Sequence, residues 1–417
     1  MAATGRIRQH FPMVPPPPIP RARRVLRASG LGLAALLALD FAVGPWLLAE
    51  GELFGRALPP HATTLSPKQW ADVRFWSEEL RRKGEGVATP FDPELGWRNL
   101  PVSAGEQRRA FNSIGARGSR DYPPQPAPGT LRITSFGDSF TYCAEVEWDA
   151  SWQAQLETLE PSFEAINFGI NGYGADQALL LFRRVGPPLD ADVVCIGLML
   201  ENIGRHVNRY RPCFATLAGT PSAKPRLRLV DDTLQVVPLG FERESDLFDA
   251  ILDGSVGERL REHEYWADPA LPAWLWRSSI VRFGVLAAES GRRNHRTLWL
   301  DSEGEPRQLT LAILESFHRE ALASGARAAP VLIWPSKPDL TGWLARGDAY
   351  WRAPLVEALT ARGIPCIDLS VALGAAADSD PRRVDPLYQG MHLSREGNAV
   401  VAREVQRWLT ERGIAPR

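Results

Sequence analysis

From residue 131 onward the chain alternates short β-rich runs with helix-period segments, and this constrains its folding more than any other feature. Strands are expected at Leu131–Phe136, Phe163–Phe168, Asp192–Leu198, Ala329–Trp334 and Ile364–Leu369. Helices are expected at Trp148–Leu159, Ala175–Val185, Leu309–Ala323, Ala349–Ala361 and Glu396–Leu409. The run Asp192-Val193-Val194-Cys195-Ile196-Gly197-Leu198 is almost continuously apolar, as a strand covered on both faces requires. Strand–helix alternation of this kind means parallel pairing with helices on both sides, a three-layer α/β/α domain with five core strands. The alternation lapses over residues 205–305, a long insertion after the third strand. Within it, Leu227–Val237 reads as strand–turn–strand around Asp231-Asp232, and Trp274–Ala288 as a helix.

In a parallel sheet the reactive groups collect beyond the carboxyl ends of the strands. There the sequence places Gly137-Asp138-Ser139-Phe140 after the first strand, Gly169, Asn171, Gly172 and Gly174 after the second, and Glu201-Asn202 after the third. Met391-His392-Leu393-Ser394 follows the fifth. A Ser hydroxyl becomes a nucleophile when a base lies within hydrogen-bond reach, and His392 is the one histidine at such a position. The tetrahedral intermediate of acyl transfer needs donors aimed at its oxyanion, which the N–H groups of Ser139 and Gly172 and the amide of Asn202 can supply. Read singly, Ser139 is also a good helix N-cap, and Gly172 suits a turn that needs positive φ. Arg205, Arg209 and Arg211, close behind Asn202, are a candidate anion-binding group, with solvated surface as the plainer reading. Trp266, Trp274, Trp276 and Phe283 read first as a helix packing face and second as a sugar-stacking surface.

These blocks resemble those of the SGNH (GDSL) hydrolase superfamily, named for Ser, Gly, Asn and His in four separate blocks. Gly137-Asp138-Ser139-Phe140 is similar to the first block, with Ser139 as nucleophile. Asn167-Phe168-Gly169-Ile170-Asn171-Gly172 resembles the second, with Gly172 as the oxyanion glycine and Gly169 as runner-up. Gly197-Leu198-Met199-Leu200-Glu201-Asn202 resembles the third, with Asn202 as the oxyanion amide. Met391-His392-Leu393-Ser394-Arg395-Glu396-Gly397-Asn398 resembles the last, with His392 as base. The resemblance spans roughly residues 90–417 and implies a flavodoxin-like sheet, a carboxylic ester hydrolase activity, and neither metal nor organic cofactor. One position departs from the pattern: the family usually carries Asp three residues before the His, and here that residue is Gln389. Either Ser139 and His392 work as a dyad with Gln389 or a backbone carbonyl as orienter, or Asp385 reaches in from the loop, or hydrolytic power is lost and the pocket kept.

The N-terminal 130 residues read differently. Residues 1–30 are a Pro/Arg-rich tail with Arg6, Arg8, Arg21, Arg23, Arg24 and Arg27 and no acid. Residues 31–49 form an apolar run, interrupted by Asp40 and Gly44-Pro45, of the length a membrane-spanning helix needs. With the Arg cluster before it, the positive-inside rule places the tail in the cytoplasm and the rest, from an irregular lead-in at 50–130 onward, on the periplasmic side of an inner membrane. A cleaved signal peptide and a buried core helix are the rival readings. The segment Phe111-Asn112-Ser113-Ile114-Gly115-Ala116-Arg117-Gly118 resembles one found ahead of the first block in anchored bacterial members. The chain carries 48 Lys plus Arg against 49 Asp plus Glu, so with the basic tail set aside the body is mildly acidic, which argues against nucleic-acid binding. Cys143, Cys195, Cys213 and Cys366 are too widely spaced for a zinc site. The resemblance implies an O-acyl (O-acetyl) ester on a cell-envelope or exported carbohydrate as substrate. An O-acyltransferase using the same site, or a non-catalytic glycan-binding or scaffold protein, are the alternatives.

Overall fold

The computed structural model describes residues 21–47, 52–53, 56–57, 65, 67–84, 90–100, 111–213, 220–266, 271–289, 294–349 and 351–416. Its centre is a sheet of five parallel strands: β1 (Leu131–Gly137), β2 (Phe163–Gly169), β3 (Val193–Leu198), β4 (Val331–Ile333) and β5 (Cys366–Asp368). They lie in the order β5-β4-β3-β1-β2, every pair parallel. This is the flavodoxin-like order, with its topological switch between β1 and β3.

Strand residues alternate between two separate cores, as a period of two demands. Phe136, Ile166, Phe168, Val194, Ile196, Val331 and Ile333 point to one face, which packs under helices Ala175–Val185 and Glu305–Ala323. Leu131, Ile133, Ala165, Cys195, Leu332 and Ile367 point to the other, beneath helices Trp152–Leu159, Leu369–Ala376 and Arg395–Glu411. Every residue of β1, β2 and β3 is buried, which is why those strands carry few polar positions. The polar residues are Arg132, Thr134, Ser135, Glu164 and Asn167; Arg132 is wholly buried and paired with Glu164 at 2.8 Å, its guanidinium also donating to the carbonyls of Pro123, Pro124 and Leu189.

The insertion contains the expected hairpin, Arg226–Val230 with Thr233–Val237, turned through positive φ at Asp231 and Asp232. The helix expected at 274–288 is split, a 3-10 turn at Ala273–Arg277 preceding a helix at Ser279–Glu289. Trp266 and Trp276 are buried while Trp274 is exposed, so these aromatics form no shared stacking platform. Helices Lys337–Arg346, Leu369–Ala376 and Glu244–Leu252 add to those expected.

At the N-terminus a helix covers Arg21–Leu47, with Leu31, Leu33, Leu36 and Leu39 exposed. Asp40, anomalous within an apolar run, is buried against the start of the Ser279–Glu289 helix. There it accepts the N–H groups of Ser279 and Ile280, each at 3.2 Å, and the hydroxyls of Ser278 and Ser279. Among the described residues no helix is long and apolar enough to cross a membrane. The span expected at 31–49 extends past the described residues at its C-terminal end.

Candidate active site

β1 ends at Gly137, and Asp138 caps a four-residue helix, α1 (Ser139–Tyr142), by accepting the N–H of Phe140 at 2.9 Å. The nucleophile candidate is therefore the first helical residue after a buried strand, its position set by a carboxylate that cannot relax into water. The other oxygen of Asp138 accepts the Asn202 amide at 3.0 Å, while Asn202 Oδ1 accepts the Met199 N–H at 3.2 Å. These two bonds assign the amide orientation and use one of its two N–H groups. The first and third blocks are thus joined through a buried acid.

His392 stands in a two-stranded hairpin, Tyr388–Gln389 with His392–Leu393. Ser394 supports it from behind. Its N–H donates to Leu387 O at 2.9 Å, its hydroxyl donates to Pro386 O at 2.7 Å, and it caps the closing helix by accepting the Gly397 N–H. Asn398 donates to the carbonyls of Leu393 and Ser394. Held in this way, His392 Nε2 lies 2.7 Å from Ser139 Oγ, across 253 residues of sequence, and both side chains are largely buried.

The other ring nitrogen meets neither of the expected partners. Nδ1 lies 3.2 Å from Glu145 Oε1. Asp385 is turned outward, 79% exposed, in an ion pair with Lys337 at 2.9 Å. Gln389 is the cross-strand neighbour of His392, yet its side chain is exposed and makes no hydrogen bond to the ring. Glu145 reaches the histidine from the segment after α1, where Cys143 takes left-handed backbone (φ 63°) and turns the chain. Arg117 fixes that segment: its guanidinium donates to Cys143 O at 2.8 Å and to the carbonyls of Tyr142 and Val146, and lies 4.4 Å over the Tyr142 ring. The three carbonyls bracket Glu145. Gly390 (φ 61°) at the hairpin tip leaves room for the carboxylate, since a Cβ there would stand 3.0 Å from Oε1.

Two glycines competed for the second block. Gly169 N–H is already bound by Asn167 Oδ1 at 2.8 Å, and a Cβ at Gly169 would overlap the backbone of Tyr142; its smallness lets α1 press against β2. Gly172 sits at φ 81°, and neither its N–H nor that of Ser139 makes a hydrogen bond among the described residues. The turn carrying Gly172 is braced by the lead-in. Trp97 Nε1 donates to Asn171 O at 3.0 Å, and Asn99 donates to Gly169 O at 3.3 Å. Arg117 N–H bonds Asn167 O at 2.8 Å along the outer edge of β2. Sequence reading missed Glu145, Trp97 and Asn99 and gave Arg117 no task. The available signal was an acid a few residues beyond the nucleophile, within reach of any histidine that reaches Ser139.

Among the described residues no group of three or more His, Cys, Asp or Glu is arranged to hold a metal ion. Chemically, the arrangement is a hydroxyl touching an imidazole that in turn touches a carboxylate, with the N–H groups of Ser139 and of Gly172 on the adjacent turn unbonded among the described residues.

No protein-family model and no curated protein matches the sequence. Solved structures do. They include a lipase/acylhydrolase from Enterococcus faecalis, 13% identical with a TM-score of 0.34, covering 68% of this chain and 97% of that one. An acetyl xylan esterase, AlAXEase, is 12% identical with a TM-score of 0.35, covering 67% of this chain and 100% of that one. A catalytic mutant of the acetylxylan esterase Axe2 from Geobacillus stearothermophilus is 12% identical with a TM-score of 0.34, covering 67% and 94%. Likeness at that level bears on neither residue roles nor substrate. The strand order, the four blocks in sequence beyond the strands, and the closed contact between Ser139 and His392 are observations on this chain alone.

Proposed function

We propose that the protein is a serine ester hydrolase that removes O-acyl groups, acetyl foremost, from a cell-envelope or exported carbohydrate. The observation that carries this reading is the 2.7 Å contact between Ser139 Oγ and His392 Nε2. Ser139 Oγ attacks the ester carbonyl while its proton passes to His392. Glu145 accepts the Nδ1–H, holds the ring in the productive tautomer and stabilises the imidazolium. The oxyanion is received by the N–H groups of Ser139 and Gly172 and by the Asn202 N–H not given to Asp138. Collapse expels the sugar alkoxide, which takes the proton from His392 and leaves acyl-Ser139. Water, deprotonated by the same histidine, then releases the carboxylic acid and restores Ser139.

The apolar run behind an Arg cluster supports a chain anchored by residues 31–49 with its catalytic domain outside the cytoplasm. The reading is tested with a fluorophosphonate probe on purified protein. Wild type is expected to label and to cleave 4-nitrophenyl acetate, and Ser139→Ala to do neither. A folded wild type that takes no label rejects the reading in favour of a non-catalytic glycan-binding protein.

A further inference from the structure

Among the described residues Arg211 is a cation without an acidic partner. It begins the short turn Arg211–Cys213 behind the Asn202–His206 helix, and its backbone is pinned by an N–H bond to Ser222 O at 2.9 Å. Its guanidinium lies directly against Gly172, where a Cβ would overlap its terminal atoms. It also sits 5.3 Å over the ring of Trp97, which is itself tied to the Gly172 turn. Nε is buried with no hydrogen-bond partner, while part of the side chain stays open to solvent. No acidic side chain among the described residues pairs with it, and residues 214–219 (Phe-Ala-Thr-Leu-Ala-Gly) contain none. Burial, followed by repulsion from Arg205, pushes the Arg211 guanidinium down to about 10. Arg205 is already engaged: it pairs with Glu201 at 2.9 Å, donates to Tyr173 O at 2.8 Å, and lies 3.8 Å from Asp138. Most arginines at this depth in the protein do have partners, as Arg132 has Glu164 and Arg352 has Asp368.

A desolvated charge left unpaired is strongly destabilising, and a stacked, planar guanidinium is the group best suited to binding carboxylate or phosphate in a bidentate manner. We propose that Arg211, backed by Arg205, is an anion-binding subsite beside the Gly172 oxyanion donor, so that the substrate is an acylated carbohydrate bearing a carboxylate or phosphate close to the ester. This deepens the hydrolase reading and rests on it. The anion arrives with the substrate, seats on the Arg211 guanidinium, and sets the acyl carbonyl over Ser139.

Three mono-O-acetyl probes decide the matter: a methyl glucuronoside, a methyl glucoside and a methyl glucoside 6-phosphate. Wild type is expected to show a kcat/KM at least about 10-fold higher for an anionic probe than for the neutral one, the range a charge-assisted hydrogen bond supplies. The better of the two anions separates carboxylate from phosphate. Arg211→Met should collapse that preference to near unity, chiefly through KM, and Arg211→Lys should restore part of it. A wild type with no anion preference, or an Arg211→Met that keeps it, overturns the proposal. Calorimetric binding of the same probes to Ser139→Ala separates this failure from that of the hydrolase reading. Anion-selective binding without turnover would leave the subsite standing and remove the hydrolase, whereas turnover without selectivity would do the reverse.

Discussion

Glu145 meets the ring of a histidine that lies 247 residues further along the chain, and in the proposed mechanism its contribution is both electrostatic and geometric. In the proposed mechanism a carboxylate that accepts the Nδ1–H favours the tautomer whose Nε2 can take the Ser139 proton, and it stabilises the positive charge that then forms. Glu145→Gln retains the size and a hydrogen bond but not the charge. It is expected to lower kcat by about 10²- to 10⁴-fold with KM little changed, the order seen when a triad loses its acid. Asp385→Asn and Gln389→Ala, both exposed and away from the ring nitrogen, should stay within a few-fold of wild type. Steady-state kinetics on 4-nitrophenyl acetate measures all three; an Asp385→Asn that falls as far as Glu145→Gln would assign the acid to the loop instead. Ser139, Gly172 and Asn202 were legible as candidates because each follows closely on a strand with a clear pattern, and His392 because it lies between the last strand and the closing helix. Glu145 was not, because its direction depends on the left-handed turn at Cys143 and on Arg117 gripping the carbonyls around it. Neither of these has a local signature.

Among the elements, the pairing of β1 with β2 sets the site. Their register aligns Gly137 with Gly169, so α1 and the Gly172 turn leave the sheet side by side. α1 then lies flat against the end of β2, where Asn167 donates to Thr141 O at 2.9 Å and Gly169 admits the backbone of Tyr142. Gly169→Ala inserts a methyl group into that contact. It is expected to destabilise the fold by about 1–3 kcal/mol and, by moving the helix that carries Ser139, to slow fluorophosphonate labelling by at least about 10-fold. Gly284→Ala, on an exposed helix face with nothing within 4 Å, should leave both melting and labelling close to wild type. Equal effects from the two substitutions would show that general stability, rather than this contact, governs Ser139. The lead-in belongs to this scale as well. Its composition of turns and prolines reads as irregular chain, yet Trp97, Asn99 and Arg117 hold the edge of β2 and the turn beyond it, through contacts that no periodicity announces.

At the scale of the molecule, the insertion is fastened to the sheet domain by buried charge. Lys224, before the hairpin, is wholly buried and pairs with Asp176 in the first turn of the Ala175–Val185 helix. That helix follows Gly172 directly. Lys224→Met strands the Asp176 carboxylate and is expected to cost about 3–5 kcal/mol, whereas the double variant Lys224→Met, Asp176→Leu should recover most of the loss, because replacing a buried pair with apolar side chains is close to neutral. Chemical denaturation of the three proteins checks the cycle, and a single variant as stable as wild type would mean the pair holds nothing together. The sequence by itself determined the sheet, its layers and the candidates for nucleophile, base and oxyanion donors. Strand and helix periodicities are local, and residues at strand ends are brought together by any parallel sheet. Only the tertiary structure decided which acid meets the ring of His392, which glycine keeps its N–H free, and that Arg211 stands beside that glycine with no acidic partner among the described residues. Those outcomes depend on side-chain directions and close approaches between segments far apart in the chain, where a few degrees of backbone torsion outweigh any residue preference.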